Sequence, residues 1–299
     1  MSVIDRQDRV FADGVANVGD PVRLAEFDRT YTAVDGKLTL DPTFDLRSNR
    51  LDCIAVPVCG VGFFNYGHFL YDGLPMAVLY RQVAPHLRIR LVGQPLRPWQ
   101  AQVLEALDLL IDYIPVSGPM VFSRLLANTL LSLHVSQPTV FVRPLYDGLR
   151  FRLGAAAPDA PRRLFLSRGG TAAGKRYLRN RNAVEARMAG LGYAIVRPET
   201  LGFVEQVSLM AAAEFVVGES GAAMANLGFC PSGAHVIEIQ ADRFVENWTR
   251  GMCFVLGHRW HLYVARTDDT PPPFDDADFG YEVDPDDLAA AVAQMENNA

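Results

Sequence analysis

The stretch that decides the fold is Glu214-Phe-Val-Val-Gly218-Glu-Ser-Gly221-Ala-Ala-Met-Ala-Asn226-Leu-Gly-Phe229. An apolar strand over 214–217 runs directly into a glycine, and a helical stretch opens near Gly221 with tiny side chains at 220–223. A short apolar run followed at once by a helix fits a strand of a parallel sheet covered on both faces. Small residues at the turn let a ligand approach the backbone, and the first N–H groups of a helix with its positive dipole end suit a phosphate. In open α/β sheets ligands also gather beyond the carboxyl ends of strands, where this turn lies. The bland alternative is a strand-to-helix turn that needs glycine only for its backbone angles.

The same texture extends outward on both sides. RRLFLS, a helix over 182–191, YAIVR, a helix over 203–212, the stretch above with its helix over 221–227, HVIEI, a helix over 245–256 and RWHLYVA alternate in order. Such alternation predicts βαβ units and a parallel sheet. An earlier, less regular series reads CIAVPV, helix 66–84, RIRLV, helix 98–109, then strands near IDYIPV and TLLSLHV. Between them, Gly154-Ala-Ala-Ala-Pro-Asp-Ala-Pro161 has linker composition. Residues 1–50 carry turn signals, Asp13-Gly14 and Asp35-Gly36, between short alternating stretches. After Pro271-Pro-Pro273 comes an acidic loop and a last helix over 285–297, begun by Asp284-Pro-Asp-Asp with carboxylates in its first turn. The expected architecture is α/β with two Rossmann-like domains: a β-rich lead-in over 1–50, a first domain over 51–155, a second over 156–266, and a returning tail over 267–299.

A chain of 299 residues is long enough for two cores, and its 49% hydrophobic and 21% charged residues exclude disorder, collagen and coiled coil. No repeat at a period of 20–50 residues is present, which removes solenoids and propellers. The net charge of -6 argues against a non-specific nucleic-acid binder. The four cysteines form no CxxC pair and read as small buried hydrophobes. The first ten residues lack an apolar signal region and no run is long enough to span a membrane. A cytoplasmic protein, with peripheral membrane contact left open, is the expectation.

Charge is unevenly placed. Residues 162–181 hold seven Arg or Lys and no acid, whereas 268–287 hold nine acids and no base. In the basic block, Ser167, Arg168, Gly169 and Gly170 open the loop beyond the strand LFLS, on the same crevice as the Gly218–Gly221 turn. Arg168, Lys175, Arg176 and Arg179 there match the charge of a diphosphate, and Arg supplies bidentate geometry. In the first series, Asn65-Tyr-Gly-His68-Phe-Leu-Tyr-Asp72 opens the long helix. His68 and Asp72, four apart, share one face, where a base would take a proton from an acceptor hydroxyl. Read plainly, the block is a solvated face and the pair a structural hydrogen bond.

Together these segments resemble glycosyltransferase family 61. Its members carry a helix of HxxxD type, matched by His68 to Asp72, then a strand-SR block, matched by LFLSR with Arg168. An R-x-L-x-N-E stretch follows, matched by Arg176 to Asn180, and a P-E-x-L-x-x-x-E-Q run, matched by Pro198 to Gln206. A G-x-H-G-A-x-x-x-N turn is matched by Gly218 to Asn226, and PSGAHVIEI with Glu238 also fits. The sequence departs at two places: Ser220 stands where the family has His, and Arg181 where it has an acid. The resemblance implies a type B, inverting glycosyltransferase acting in surface polysaccharide biosynthesis, with a nucleotide sugar on the second domain and a glycan or lipid-linked glycan as acceptor. It makes Asp72 the general base, with His68 orienting it or touching acceptor. Arg168, Arg176 and the amides near Ser220, Gly221 and Ala222 would hold the diphosphate. Glu199, Glu205 and Glu238 are candidates for ribose or base hydroxyls, and Ser167, Asn180, Gly218 and Asn226 complete the donor side. No cofactor or metal is expected, since the DxD strings Asp276-Ala-Asp278 and Asp284-Pro-Asp286 sit in a Pro-rich loop and helix start.

Two rival readings stand beside it. Gly218-Glu-Ser220-Gly221-Ala222 is one residue from a nucleophile elbow, with Asp242 and His258 or His261 in α/β-hydrolase order. The two departures also fit a nucleotide-sugar or glycan-binding relative without catalysis.

Overall fold

A computed structural model describes residues 2–4, 10–12, 31–34, 37–40, 49–58, 63–118, 120–126, 138–154, 156, 159–169, 176–267 and 279–299. It divides into two compact units, Met1–Val135 and Ser136–Ala299.

The lead-in contains two antiparallel pairs: β1 (Ser2–Ile4) with β2 (Val10–Ala12), and β3 (Tyr31–Val34) with β4 (Lys37–Leu40). Val34 is opposite Lys37, so only Asp35-Gly36, outside the described residues, separates the second pair. The first unit then builds a four-stranded parallel sheet from β5 (Arg50–Pro57), β6 (Ile89–Gly93), β7 (Tyr113–Pro115) and β8 (Val121–Leu125), ordered β7-β6-β5-β8. The last strand comes earlier than TLLSLHV, which lies outside the described residues. Helix α1 follows β5 in three continuous segments, Tyr66–His68, a π-helical Phe69–Gly73, and Leu74–Val83. Helix α2 (Pro98–Ala106) follows β6.

The second unit centres on a five-stranded parallel sheet: β9 (Arg163–Leu166), β11 (Ala194–Val196), β12 (Phe215–Glu219), β13 (His235–Ala241) and β14 (Arg259–Ala265), ordered β11-β9-β12-β13-β14. Every residue of β13 is buried, the consequence of helices on both faces. On one face α4 (Arg181–Gly190) and α7 (Pro285–Asn297) bury Val184, Met188, Leu288, Val292 and Met295 against Phe165, Val217, Ile237 and Ile239. On the other lie α3 (Val142–Leu153), α5 (Phe203–Met210), a 3-10 helix over Ala222–Phe229 and α6 (Trp248–Leu256). Tyr146 and Phe203 pack edge-on against Phe229 there, with centroids 5.1 and 5.9 Å apart. These ring contacts, and the Arg150 guanidinium donating to the Cys230 carbonyl at 2.9 Å, hold α3 in the second unit. The division between units therefore precedes the Gly154–Pro161 stretch. A two-residue parallel pair, β10 (Tyr177–Leu178) with β15 (Gly280–Tyr281), returns the C-terminal segment to this unit.

Both strand orders create a switch point. In the second unit the chain leaves β9 towards β11 and leaves β12 in the opposite direction, towards β13. Their loops diverge, so a crevice opens at the carboxyl ends of β9 and β12. In the first unit the corresponding place lies between β5 and β8.

Candidate functional site

At the crevice of the second unit, Gly218 pairs with Leu166, which places Arg168 level with Ser220. The Arg168 backbone N–H donates to Glu219 Oε1 at 3.0 Å, and its guanidinium donates to the Ser220 carbonyl at 2.9 Å. Two glycines make this approach geometrically feasible. A Cβ at Gly218 would stand 2.8 Å from Met224 Sδ and 3.1 Å from Leu166 Cβ, because the 3-10 helix lies directly on the strand ends. Gly221 has φ 154° and ψ -178°, a region closed to side-chain-bearing residues, and a Cβ there would lie 3.2 Å from Arg168 Cζ and Nε.

Beneath Arg168 lies a network that sequence reasoning missed. Glu219 is fully buried and accepts both guanidinium nitrogens of Arg181, through Oε1 and, at 3.0 Å, Oε2. Tyr281 donates its hydroxyl to the same Oε2 at 3.2 Å. Arg181 also donates to Ser167 Oγ at 2.8 Å, and that hydroxyl donates to Glu185 at 2.7 Å. Burial lowers the Arg181 pKa, but its hydrogen bonds and charge interaction with Glu219 outweigh this and leave it raised. Arg168 goes the other way: burial first, then the nearby positive charge of Arg176, pull its pKa below the guanidinium norm. Arg176 sits in left-handed backbone at φ 52°, a strained conformation for a non-glycine residue. Its guanidinium lies 4.2 Å from the Phe244 ring centroid and donates to Glu246 at 3.2 Å. The result is a crowded cationic group around a backbone turn, with Glu219 engaged by Arg181.

In the first unit, Asn65 caps α1, its Oδ1 accepting from the N–H groups of Gly67 at 3.0 Å and His68 at 3.3 Å. His68 Nδ1 and Asp72 Oδ2 are 2.6 Å apart, with the histidine side chain the more exposed of the two. The helical period foresaw this pair; it did not foresee the π-helical turn that carries Asp72. π-helical turns of this kind recur at functional sites. A Cβ at Gly73 would lie 3.5 Å from the Val58 carbonyl, so this turn sits against the carboxyl end of β5.

Compared with known protein families, residues 66–237 match the family model described as Glycosyltransferase 61, more than half of the chain. The chain belongs to glycosyltransferase family 61. The match begins at the first residue of α1 and ends within β13, so both sites lie inside it. A search of curated proteins returned no matching relative.

Within this family 61 glycosyltransferase the expected donor-side residues divide into two groups. Ser167, Arg168, Gly218, Ser220 and Gly221 converge at the crevice, and Ala222 follows them at the start of the 3-10 helix, which replaces the expected α-helix. Several motif positions also make hydrogen bonds that tie elements of the fold together. Asn226 is buried and donates to Gln206 Oε1 at 2.9 Å, joining two motifs to each other. Glu205 accepts the Gly202 N–H at 2.6 Å and closes the first turn of α5. Asn180 donates to the Val283 carbonyl at 2.7 Å and accepts the Val283 N–H at 3.3 Å. Glu238 is fully buried, its oxygens accepting from Thr249 at 2.8 Å and Trp260 at 3.0 Å, and burial raises its pKa. Glu199 is exposed on the 3-10 turn after β11. Lys175, Gly170, Asp276 and Asp278 lie outside the described residues. Asp284 caps α7, accepting from the N–H groups of Asp286 and Asp287.

Arg181, the departure from the family pattern, is answered within the chain by Glu219. Nothing singled out Glu219 or Tyr281 in the sequence; the one signal was the unmatched basic residue at 181. The hydrolase constellation does not assemble. Ser220 lies beyond the carboxyl end of β12, whereas His258 immediately precedes β14, whose first residue pairs with His235 at the opposite end of the sheet. At about 3.3 Å per residue the two are well over 10 Å apart. His258 binds the Leu227 carbonyl at 3.0 Å instead, and Asp242 accepts from Thr267 at 2.7 Å. His261 is level with Ile237 and Val217, three residues short of Ser220.

Proposed function

We propose that this glycosyltransferase transfers a sugar from a nucleoside diphosphate donor to a glycan acceptor with inversion, on a type B architecture, in the assembly of a surface polysaccharide. The observation that carries this reading is the group formed by Arg168, Arg176 and Gly221 at the switch point of the second unit. A diphosphate seated there would relieve the repulsion between Arg168 and Arg176 and would meet backbone at the turn that Gly221 opens. The same guanidinium groups would neutralise charge on the departing diphosphate, the role a divalent metal fills elsewhere.

On the acceptor side, His68 and Asp72 supply the base. With the carboxylate on Nδ1, the imidazole carries its proton there, and Nε2 is the basic atom. In this reading His68 takes the proton from the acceptor hydroxyl, the hydroxyl oxygen bonds to the anomeric carbon, and the nucleoside diphosphate leaves from the opposite face. Asp72 holds the tautomer and stabilises the imidazolium, the reverse of the roles the family resemblance implies. A lipid-linked acceptor would place the enzyme at the inner face of the membrane; among the described residues no helix is long and apolar enough to cross one.

The test is a thermal-shift screen against UDP, GDP, CDP and ADP and their sugars, with and without Mn²⁺, since a ligand of the folded state raises its stability by mass action. One nucleoside diphosphate should raise the transition without metal, and Arg176→Ala should abolish the shift. His68→Ala should retain it while losing transfer by a factor of about 100 or more. Absence of any shift in the wild type would overturn the donor site, and full transfer by His68→Ala would overturn the base.

A further inference from the structure

We propose that Arg243, in the turn after β13, is a further donor-binding residue, and that with Arg176 it grips the diphosphate from the side of the Gly221 turn opposite to Arg168. The inference rests on the diphosphate reading of the second unit's crevice given above, and adds to it a residue that no motif marks.

The sheet brings this turn to the crevice. Glu219 pairs with Ile239 and the Ser220 N–H donates to the Ile239 carbonyl at 2.9 Å, so Ala241, the last residue of β13, comes level with Gly221. The chain then reverses, with the Phe244 N–H on the Ala241 carbonyl at 2.9 Å. Gln240 closes the loop: it donates to the Glu246 carbonyl at 2.8 Å and accepts the Glu246 N–H at 3.0 Å. Since β9 and β13 flank β12, Arg168 and Arg243 follow strands two spacings apart, roughly 10 Å, on either side of the glycine turn. Arg176 connects them. Its charge acts on Arg168, and its guanidinium lies against Phe244 and reaches Glu246 in the loop that carries Arg243. The next residue, Tyr177, donates its N–H to the Phe279 carbonyl at 3.0 Å, and Arg243 lies over that same Phe279, 5.2 Å from the ring centroid.

Among the described residues nothing answers the charge of Arg243. Its guanidinium makes no hydrogen bond or ion pair with them, and its Nη2 is buried without a partner. Arg176 Nε is buried without a partner in the same way. Arg168, Arg181 and Arg197 differ, each donating to a carbonyl or carboxylate of the fold. The neighbouring Asp242 turns instead to the N–H and hydroxyl of Thr267. Covering part of a cation without supplying an acceptor costs stability, so an unanswered guanidinium beside the crevice points to an acceptor from outside the chain. Arg243 is only half-buried, which leaves it an edge that such an acceptor can reach.

A diphosphate is the group that fits. Guanidinium edges take phosphate oxygens two at a time, and because the charge is delocalised, an anion at the open edge also stabilises the nitrogen that packing has covered. A neutral hydroxyl would leave three like charges gathered at one crevice. A lone carboxylate has too few oxygens to meet guanidinium groups on both sides of the Gly221 turn. The bonds from Gln240 hold the loop in shape before any ligand arrives, which keeps the ordering cost of binding low.

Isothermal titration calorimetry of the full chain with inorganic pyrophosphate and inorganic phosphate tests this. Pyrophosphate should bind more tightly than phosphate, and Arg243→Gln should weaken it by about tenfold or more, the loss of one charge-assisted contact. Arg250→Gln removes an exposed cation from α6 and should stay within about twofold, which controls for net charge. Circular dichroism checks that each variant folds. Should Arg243→Gln not fold, Arg243→Lys keeps the charge without the planar fork and should weaken pyrophosphate by about threefold or more. No pyrophosphate binding by the wild type, phosphate bound as tightly as pyrophosphate, unchanged binding in the folded variant, or an equal loss in Arg250→Gln would overturn the proposal. Titrating UDP, GDP, CDP and ADP into the same samples separates the two readings. If one of them binds, needs Arg176 and is indifferent to Arg243→Gln, the donor reading stands and the role of Arg243 is wrong. If pyrophosphate binding depends on Arg243 yet no nucleotide binds more tightly than pyrophosphate, the anion site stands and the donor reading falls.

Discussion

Replacing Glu219 by Gln would remove the buried carboxylate that accepts both guanidinium nitrogens of Arg181 beneath the crevice. Glu219 has no exposed surface and Arg181 keeps 16% of its side chain in water. The carboxylate takes two guanidinium donors, the Arg168 N–H and the Tyr281 hydroxyl. An amide of the same shape keeps one accepting oxygen and turns an N–H₂ towards donors. Breaking a buried pair costs about 3–5 kcal/mol, and the water that reaches Arg181 places this one near 3. For a unit of this size that corresponds to a fall of roughly 6–12 °C in Tm. Urea unfolding followed by far-ultraviolet circular dichroism and tryptophan fluorescence gives the value, since Trp248 and Trp260 report on the same unit. The double variant Arg181→Met/Glu219→Gln removes the stranded cation and should be more stable than Glu219→Gln alone by about 1 kcal/mol or more. A single-variant loss below about 1 kcal/mol, or simple additivity in the double variant, would refute the claim that Arg181 and Glu219 form one buried unit.

Acid stability should carry a signature of His258, whose pKa burial lowers to about 4. The neutral imidazole is favoured in the folded protein, so its contribution is complete above the ordinary histidine value near 6.5 and lost as pH falls towards about 4, some 3 kcal/mol in all. His258→Gln should flatten the urea midpoint across that window; an unchanged slope would show that His258 protonates without penalty. Asn226→Ala should cost about 1–3 kcal/mol by stranding the buried Gln206 carbonyl, while nucleoside diphosphate affinity measured below the transition stays within twofold. A large loss of affinity in folded Asn226→Ala would return that residue to the donor site.

Local pattern was sufficient for most of the second unit. The alternation from RRLFLS to RWHLYVA, the Asp284 cap and the four-residue spacing of His68 and Asp72 are all periodic or capping signals, and each appears in the structure near its expected bounds. Helix α3 and strand β8 were not read from the sequence; α3 does carry an apolar period at Val142, Leu145, Tyr146 and Leu149, but Pro144 and Gly148 interrupt it with breaker signals. The motif residues were legible from residue type and spacing, whereas the hydrogen bonds they make within the fold were not. Glu205, Asn226, Asn180 and Glu238 are short-range or cross-element structural bonds, and type alone does not tell a carboxylate that caps a helix from one that meets a ribose.

The sequence by itself determined a parallel α/β protein of family 61, a basic loop beside a glycine turn, and a histidine–aspartate pair on one helical face, because these depend on residues near one another along the chain. Only the tertiary structure decided that Arg181 is answered by Glu219, that Tyr281 returns from the C-terminal segment to the same carboxylate, and that Arg176 meets Glu246. Each joins residues more than thirty positions apart, and burial fixes those partners by desolvation: a charge or polar group taken out of water must find its complement wherever the fold brings one.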